Sequence, residues 1–148
     1  FYGIDVSTVM LTKAIDQLGR AGLSARVRIA HGDAAAFEPQ RLFGRERFDR
    51  IFISYSISMI PDWNGAIDRA LALLAPGGEL HIVDFGGQAG LPGPLRAVLR
   101  RWLKLFLVAP RDGLERWLSA CAKRSGAMLT IERPYRDYAQ YAVLRMAG

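Results

Sequence analysis

Runs of β-forming residues alternate with stretches of helical periodicity up to Asp84, and this alternation constrains the fold more than any other feature. Residues 1–4 (FYGI) read as a short buried strand that ends at Asp5. Met10, Ala14, Ile15 and Leu18 then recur at helical spacing, with Ser7 or Thr8 as a cap and Gly19 and Gly22 as stops. Residues 27–31 form a second strand pattern, and residues 48–55 (FDRIFISY) form a third, rich in β-formers. Between them, the polar stretch 38–47 reads as a loop or short helix. Asp62 can cap a helix that carries Ile67, Ala70, Leu71 and Leu74 on one face. Ala75-Pro76-Gly77-Gly78 predicts a stop and turn before a fourth strand at 79–84 (ELHIVD). Strands and helices in this order imply a mostly parallel sheet with helices on both faces.

The second half changes character. Residues 86–94 are a Gly/Pro-rich loop, residues 95–108 an amphipathic helix, and residues 111–124 a further helix. Leu95, Val98, Leu99, Trp102, Leu103 and Phe106 share the apolar face of the first of these helices. Two strands at 128–132 and 138–146 follow, joined by a turn at Pro134. That connection is too short for a parallel crossover, so these strands are expected to pair antiparallel or lie as near neighbours. The 148 residues suffice for one domain, expected to span 1–148.

In open α/β sheets, ligands bind at the carboxyl ends of the strands. Two acids are expected at such ends. Asp5 follows the first strand, where a carboxylate can accept hydrogen bonds from both ribose hydroxyls of a nucleoside. NAD-binding domains place an acid at the same point, so Asp5 alone leaves the cofactor open. Asp33, in Gly32-Asp33-Ala34, discriminates. A carboxylate there can accept from an adenine amino group while the next N–H donates to a ring nitrogen. The competing reading of Asp33 is a cap for a helix at residues 34–37.

Residues 1–11 (FYGIDVSTVML) are similar to the second-strand motif of class I S-adenosylmethionine (SAM)-dependent methyltransferases, G-x-D-x-S-x-x-M-L. Gly32-Asp33-Ala34 resembles their adenine motif, Phe48-Asp49-Arg50-Ile51 the start of their fourth strand, and residues 74–80 (LAPGGEL) their fifth-strand entry. The resemblance implies a Rossmann-like fold, a mostly parallel sheet with an antiparallel C-terminal strand, and SAM as cofactor. It implies that Asp5 binds ribose, that Val6 and Met10 contact the adenine face, and that Asp33 and Ala34 read the adenine edge. Ser54 and Tyr55 would then lie near the cofactor. Core packing is the competing reading for Val6 and Met10. The family's first strand, central in its sheet, and its G-x-G-x-G loop would precede Asp5. Their absence from this chain implies an N-terminally truncated domain, a gap in the sheet, and weak or no SAM binding by the chain as it stands.

The segment 54–63 (SYSISMIPDW), with Val83-Asp84-Phe85-Gly86 and Gly90-Leu91-Pro92-Gly93, resembles the methyltransferases that convert diacylglyceryl-homoserine to a betaine lipid. That implies N-methylation of a lipid head group, with Tyr55, Trp63 and Tyr135 as candidates for an amine pocket; aromatic core is the competing reading, favoured for Trp63. No residue is assigned as catalytic and no metal site is expected. His31 and His81 read as satisfied strand residues. A quinone precursor or other small molecule is the alternative acceptor, and a NAD(P)-dependent oxidoreductase is the alternative class.

Between Pro94 and Gly126, eight basic side chains meet only Asp112 and Glu115, which accounts for the whole net charge of +6. A concentrated basic segment suggests an anionic partner. Peripheral contact of Arg96, Arg100, Arg101 and Lys104 with an anionic membrane is one expectation, and an ordinary surface helix packing its apolar face on the sheet is the competing reading; nucleic acid is not expected, for lack of a recognised motif. Cys121 is the sole cysteine, so no internal disulfide can form and a cytoplasmic location, peripheral to the membrane's inner face, is expected.

Overall fold

The computed structural model describes residues 1–86, 92–94, 97, 98, 101, 111 and 113–148, with the backbone alone at 135 and 136. Outside the segment 95–108, the elements follow the expected order. It runs β1 (Tyr2–Asp5), α1 (Thr8–Arg20), β2 (Arg28–His31), α2 (Pro39–Phe43), β3 (Phe48–Ser54), α3 (Trp63–Ala72) and β4 (Leu74–Phe85). It continues with α4 (Leu114–Ser125), β5 (Met128–Glu132), the one-turn α5 (Pro134–Asp137) and β6 (Ala139–Arg145). The helix expected at 95–108 falls mostly outside the described residues. Val98, expected on its apolar face, is 66% exposed.

The predicted caps form. Ser7 Oγ accepts the Met10 N–H at 3.3 Å, and Asp62 Oδ1 accepts the Gly65 N–H at 3.0 Å. Each satisfies one of the amide donors that a helix start leaves without an intrahelical partner.

Two expectations are corrected. The sequence Ala75-Pro76-Gly77-Gly78 is not a stop before β4. Leu74 already pairs with Phe48, and the four residues are taken up in a register shift between Phe48 and Arg50. Gly77 supplies the left-handed backbone that this bulge needs, with φ +71°. The turn expected at Pro134 is the short helix α5, whose last residue, Asp137, is itself left-handed.

The sheet is split. β1 and β2 pair in parallel, while β3-β4-β6-β5 form a separate four-stranded sheet in which β6 alone runs antiparallel to its neighbours. The facing edges of β1 and β3 share no ladder. A cleft of about 790 Å³ lies between them, lined by Gly3, Ile4, Phe37, Ile51 and Ile53 among others. This is the gap that the sequence predicts. Side-chain contacts bridge part of it: the Tyr2 ring lies 5.8 Å from that of Phe48, and Arg45 Nε donates to the Tyr2 hydroxyl at 3.2 Å.

The core belongs to the larger sheet. Leu80 and Ile82 on β4 and Leu144 on β6 are fully buried beneath Ile67 of α3 and Leu118 of α4. Truncating any of these to Ala would cost about 2–5 kcal/mol. Helix α1 contrasts with this core. It buries no residue, and Val9 and Ile15 are 62% and 58% exposed. The larger sheet is thus the rigid platform, and its strand ends position one side of the site.

Opposite the core, Glu79, His81 and Tyr141 form a polar cluster. The His81 ring lies 2.7 Å from the Tyr141 hydroxyl through Nδ1 and 3.0 Å from Glu79 through Nε2. His81 is therefore a satisfied strand residue, as read from the sequence. Trp63 meets Trp117 edge-on against the core, so the favoured core reading holds for it.

Candidate functional site

All four parallel strands deliver their carboxyl ends to one rim. β1 delivers Asp5, β2 delivers His31-Gly32-Asp33, β3 delivers Ser54-Tyr55, and β4 delivers Asp84-Phe85. The register sets Asp5 opposite His31, and the Gly32 N–H donates to the Asp5 carbonyl at 3.1 Å. The two predicted acids thus lie on neighbouring strand ends.

Asp5 is half-buried, and its Oδ1 accepts the Ser7 N–H at 2.8 Å. That bond fixes the carboxylate at the start of α1. Its Oδ2 makes no hydrogen bond among the described residues. Val6 and Met10 flank it, 63% and 51% exposed. The core reading of these two residues therefore fails, and they form an apolar surface beside a carboxylate. His31 Nε2 lies 3.0 Å from the Val6 carbonyl and holds this loop against β2.

Asp33 is exposed and its Oδ1 accepts the Ala35 N–H at 2.9 Å. The helix that the capping reading expected at 34–37 is not formed: residues 34–36 are a turn, closed by this bond and by the Phe37 N–H donating to the Asp33 carbonyl at 2.8 Å. Asp33 Oδ2 is left without a partner among the described residues. The turn bond and a ligand are compatible because they use different oxygens. An exposed carboxylate, an apolar shelf and a second acid one strand away fit the adenosine half of SAM.

Ser54 and Tyr55 end β3 on the other side of the cleft. Tyr55 adopts φ +50°, a conformation costly for an aromatic L-residue, of the order of 1–3 kcal/mol. It is held there by its own N–H, which donates to the Val83 carbonyl at 2.7 Å. Ser56 Oγ donates to the Ser54 carbonyl at 2.9 Å, and Ile57, fully buried, anchors the turn that follows.

Sequence reasoning missed the groups that hold this turn. Asp84 is 2% exposed and accepts the N–H of Ser58 at 2.9 Å and of Phe85 at 2.7 Å. From the opposite side Arg111 donates to the carbonyls of Ile57 and Ile60, at 3.3 and 2.9 Å. The available signal was an acid at the end of a buried apolar strand, where it must find donors. The Tyr135 side chain, expected in an amine pocket, lies outside the described residues. Of the expected membrane contacts, Arg101 is exposed, whereas Arg96, Arg100 and Lys104 lie outside them too.

A family model described as a methyltransferase domain matches residues 1–80, which hold both acids and the first three strands. The chain belongs to this family. Its cofactor is SAM, and the nicotinamide alternative is set aside. Among solved structures the chain is similar to phosphoethanolamine N-methyltransferase 2 of Haemonchus contortus in complex with SAM. The TM-score is 0.75 at 18% identity, covering 99% of this chain and 43% of that one. It is similar to an O-methyltransferase family protein of Burkholderia thailandensis, with TM-score 0.72, 13% identity, and 99% and 43% coverage. It is also similar to the N-methyltransferase NodS of Bradyrhizobium japonicum, with TM-score 0.62, 20% identity, and 99% and 73% coverage. These likenesses establish the Rossmann-like methyltransferase fold. The chain spans less than half the length of the first two of these methyltransferases. No curated protein matches the chain by sequence.

Proposed function

We propose that the protein N-methylates an amine with SAM as donor, and that the amine belongs to a lipid head group such as that of diacylglyceryl-homoserine. The observation that carries the cofactor part is the pair of acids on adjoining strand ends, Asp5 and Asp33, with exposed Val6 and Met10 beside them. SAM, when bound, supplies an electrophilic methyl group on a sulfonium. The protein's own part is orientation, the main lever for a bimolecular displacement. Asp5 holds the ribose, Val6 and Met10 cover the adenine face, and Asp33 with the Ala34 N–H reads its edge. Ser54 and Tyr55 close the site from β3.

The lipid acceptor is supported by the resemblance of residues 54–63 and 83–86 to the betaine-lipid methyltransferases and by the basic segment 96–124. Three N-methyltransferase structures of two proteins share its fold, including phosphoethanolamine N-methyltransferase 2 with phosphomonomethylethanolamine and S-adenosylhomocysteine bound. Among the described residues no helix is long and apolar enough to cross a membrane. Access to a lipid amine would then be peripheral, from the cytoplasmic face, through Arg101 and the neighbouring basic residues.

Two measurements test this. Calorimetric titration of S-adenosylhomocysteine into the protein at its natural length should show binding that Asp5→Ala weakens at least tenfold, the loss of one charge-assisted bidentate contact. Unchanged affinity would remove the ribose role. Lipid mass spectrometry after loss of the gene should show accumulation of the unmethylated amine lipid; an unaltered lipid profile would sink the lipid acceptor.

A further inference from the structure

Three aromatic rings line the rim where β3, β4 and β6 meet. The Tyr55 ring lies 5.2 Å from that of Phe85, and the Phe85 ring lies 6.0 Å from that of Tyr138, edge-on. Tyr55 and Tyr138 are 41% and 37% exposed, and Phe85 is half-buried between them. Aromatic rings in a core would be covered. These stand open at the carboxyl ends of the strands, where this fold binds its ligands.

The backbone beside them is strained. Tyr55 and Asp137 are the only non-glycine residues with positive φ among the described residues, at +50° and +63°. One is a member of the aromatic group and the other immediately precedes Tyr138. Tyr55 and Tyr138 are both tied to the end of β4: the Tyr55 N–H donates to the Val83 carbonyl, and the Gly86 N–H donates to the Tyr138 carbonyl at 2.9 Å. Strain that is held from several sides marks a preorganised site rather than a loose surface. Directly behind the rings lies the buried carboxylate of Asp84, bonded to the Phe85 N–H.

We infer that Tyr55, Phe85 and Tyr138 form the acceptor subsite, and that it takes a methyl-bearing ammonium group. This inference rests on the methyltransferase reading above. Each methyl transfer from the sulfonium to a neutral amine leaves a methylated ammonium and the thioether; the ammonium sheds a proton to solvent before a further transfer, and a quaternary product stays cationic. The negative faces of aromatic rings attract the ammonium, and they present no donor that would tie up the lone pair of the neutral amine that attacks the methyl group. The Asp84 carboxylate adds a negative field from behind while staying out of contact. Phe85 and Tyr138 are thus specificity-determining residues for an amine over a neutral acceptor.

The test compares two small probes on the protein at its natural length, saturated with S-adenosylhomocysteine. Choline carries a trimethylammonium; 3,3-dimethylbutan-1-ol is its neutral isostere. Titration followed by NMR or calorimetry should favour choline by roughly 3- to 30-fold, the range that cation–π contact supplies. Phe85→Leu and Tyr138→Leu should abolish the preference, and Tyr138→Phe should keep it. Equal binding of the two probes, no binding of choline, or a preference that survives both leucine variants would overturn the inference. S-adenosylhomocysteine affinity is measured on the same samples. Its absence in the unsubstituted protein would sink the methyltransferase reading instead. Its retention without choline preference would sink the aromatic subsite alone. Should a leucine variant fail to fold, the comparison of the probes on the unsubstituted protein and on Tyr138→Phe still decides.

Discussion

The buried carboxylate of Asp84 accepts the backbone N–H of Ser58 at 2.9 Å, across 26 residues of sequence. The same side chain takes the Phe85 N–H through its other oxygen. Asp84 thereby joins the end of β4 to the turn that follows β3, and so fixes two sides of the candidate site relative to each other. Asp84→Ala removes the acceptor and leaves two amides unsatisfied, a cost of about 1–3 kcal/mol for each one that stays buried. Ser58→Ala is the control. Its hydroxyl is buried without a hydrogen-bond partner among the described residues. Losing that hydroxyl should be neutral or slightly stabilising. Urea unfolding of both variants checks the contrast, and equal destabilisation would contradict it.

The strands, the caps and the two acids were legible because each is written locally. A period of two, a period of 3.6 and a Ser or Asp ahead of an apolar run need no knowledge of distant chain. The antiparallel β6 followed from a short connection. The Asp84–Ser58 link was not legible, because its partners are separated by helix α3. The meeting of Phe85 with Tyr138 depends on the pairing of Phe85 with Ala139, a register that neither strand specifies alone. The left-handed Tyr55 broke the local rule that reserves such backbone for Gly and Asn. Failures of this kind are expected where local preference yields to a site.

Glu79 gives the fold an acid-sensitive element. Arg145 Nε donates to it at 2.8 Å, and His81 bonds it from the same strand; together they hold its carboxyl below the ordinary 4.5. A lowered folded pKa means stabilisation that is complete above the unfolded value and is lost as pH falls through the folded one. Wild-type protein should therefore exceed Glu79→Gln in urea midpoint at neutral pH. The two should converge as pH falls below the unfolded 4.5 and on through the lowered folded value, where the wild-type carboxyl becomes protonated. A constant difference across that range would show that the ionic form of Glu79 is irrelevant.

Cys121 should be inert in the native state. It lies 1% exposed under α3, with Sγ 3.2 Å from Asp68 Oδ1. Burial first, and the Asp68 contact second, push its thiol up from 9.0 to about 11. That leaves on the order of a hundredfold less thiolate at pH 8, and only the thiolate reacts. Alkylation by iodoacetamide should be at least that much slower in buffer than in denaturant. Comparable rates would mean that α4 opens readily from the core.

Gly86 sets how closely the aromatic rim can assemble. A Cβ at this position would stand 2.3 Å from the Asp137 carbonyl oxygen and 2.9 Å from its carboxylate. Backbone cannot yield as the tip of a side chain does, so the strained Asp137 turn would have to move. Gly86→Ala should cost about 1–3 kcal/mol by overpacking. The displacement should also carry Tyr138, whose carbonyl bonds the Gly86 N–H, away from Phe85. The variant should therefore lose thermal stability and also lose the choline preference expected of the rim. A core defect of equal cost, such as Ile82→Val, should lower the melting temperature and leave that preference in place. Loss of preference in both would mean that general loosening, rather than the packing of Asp137 onto Gly86, governs the rim.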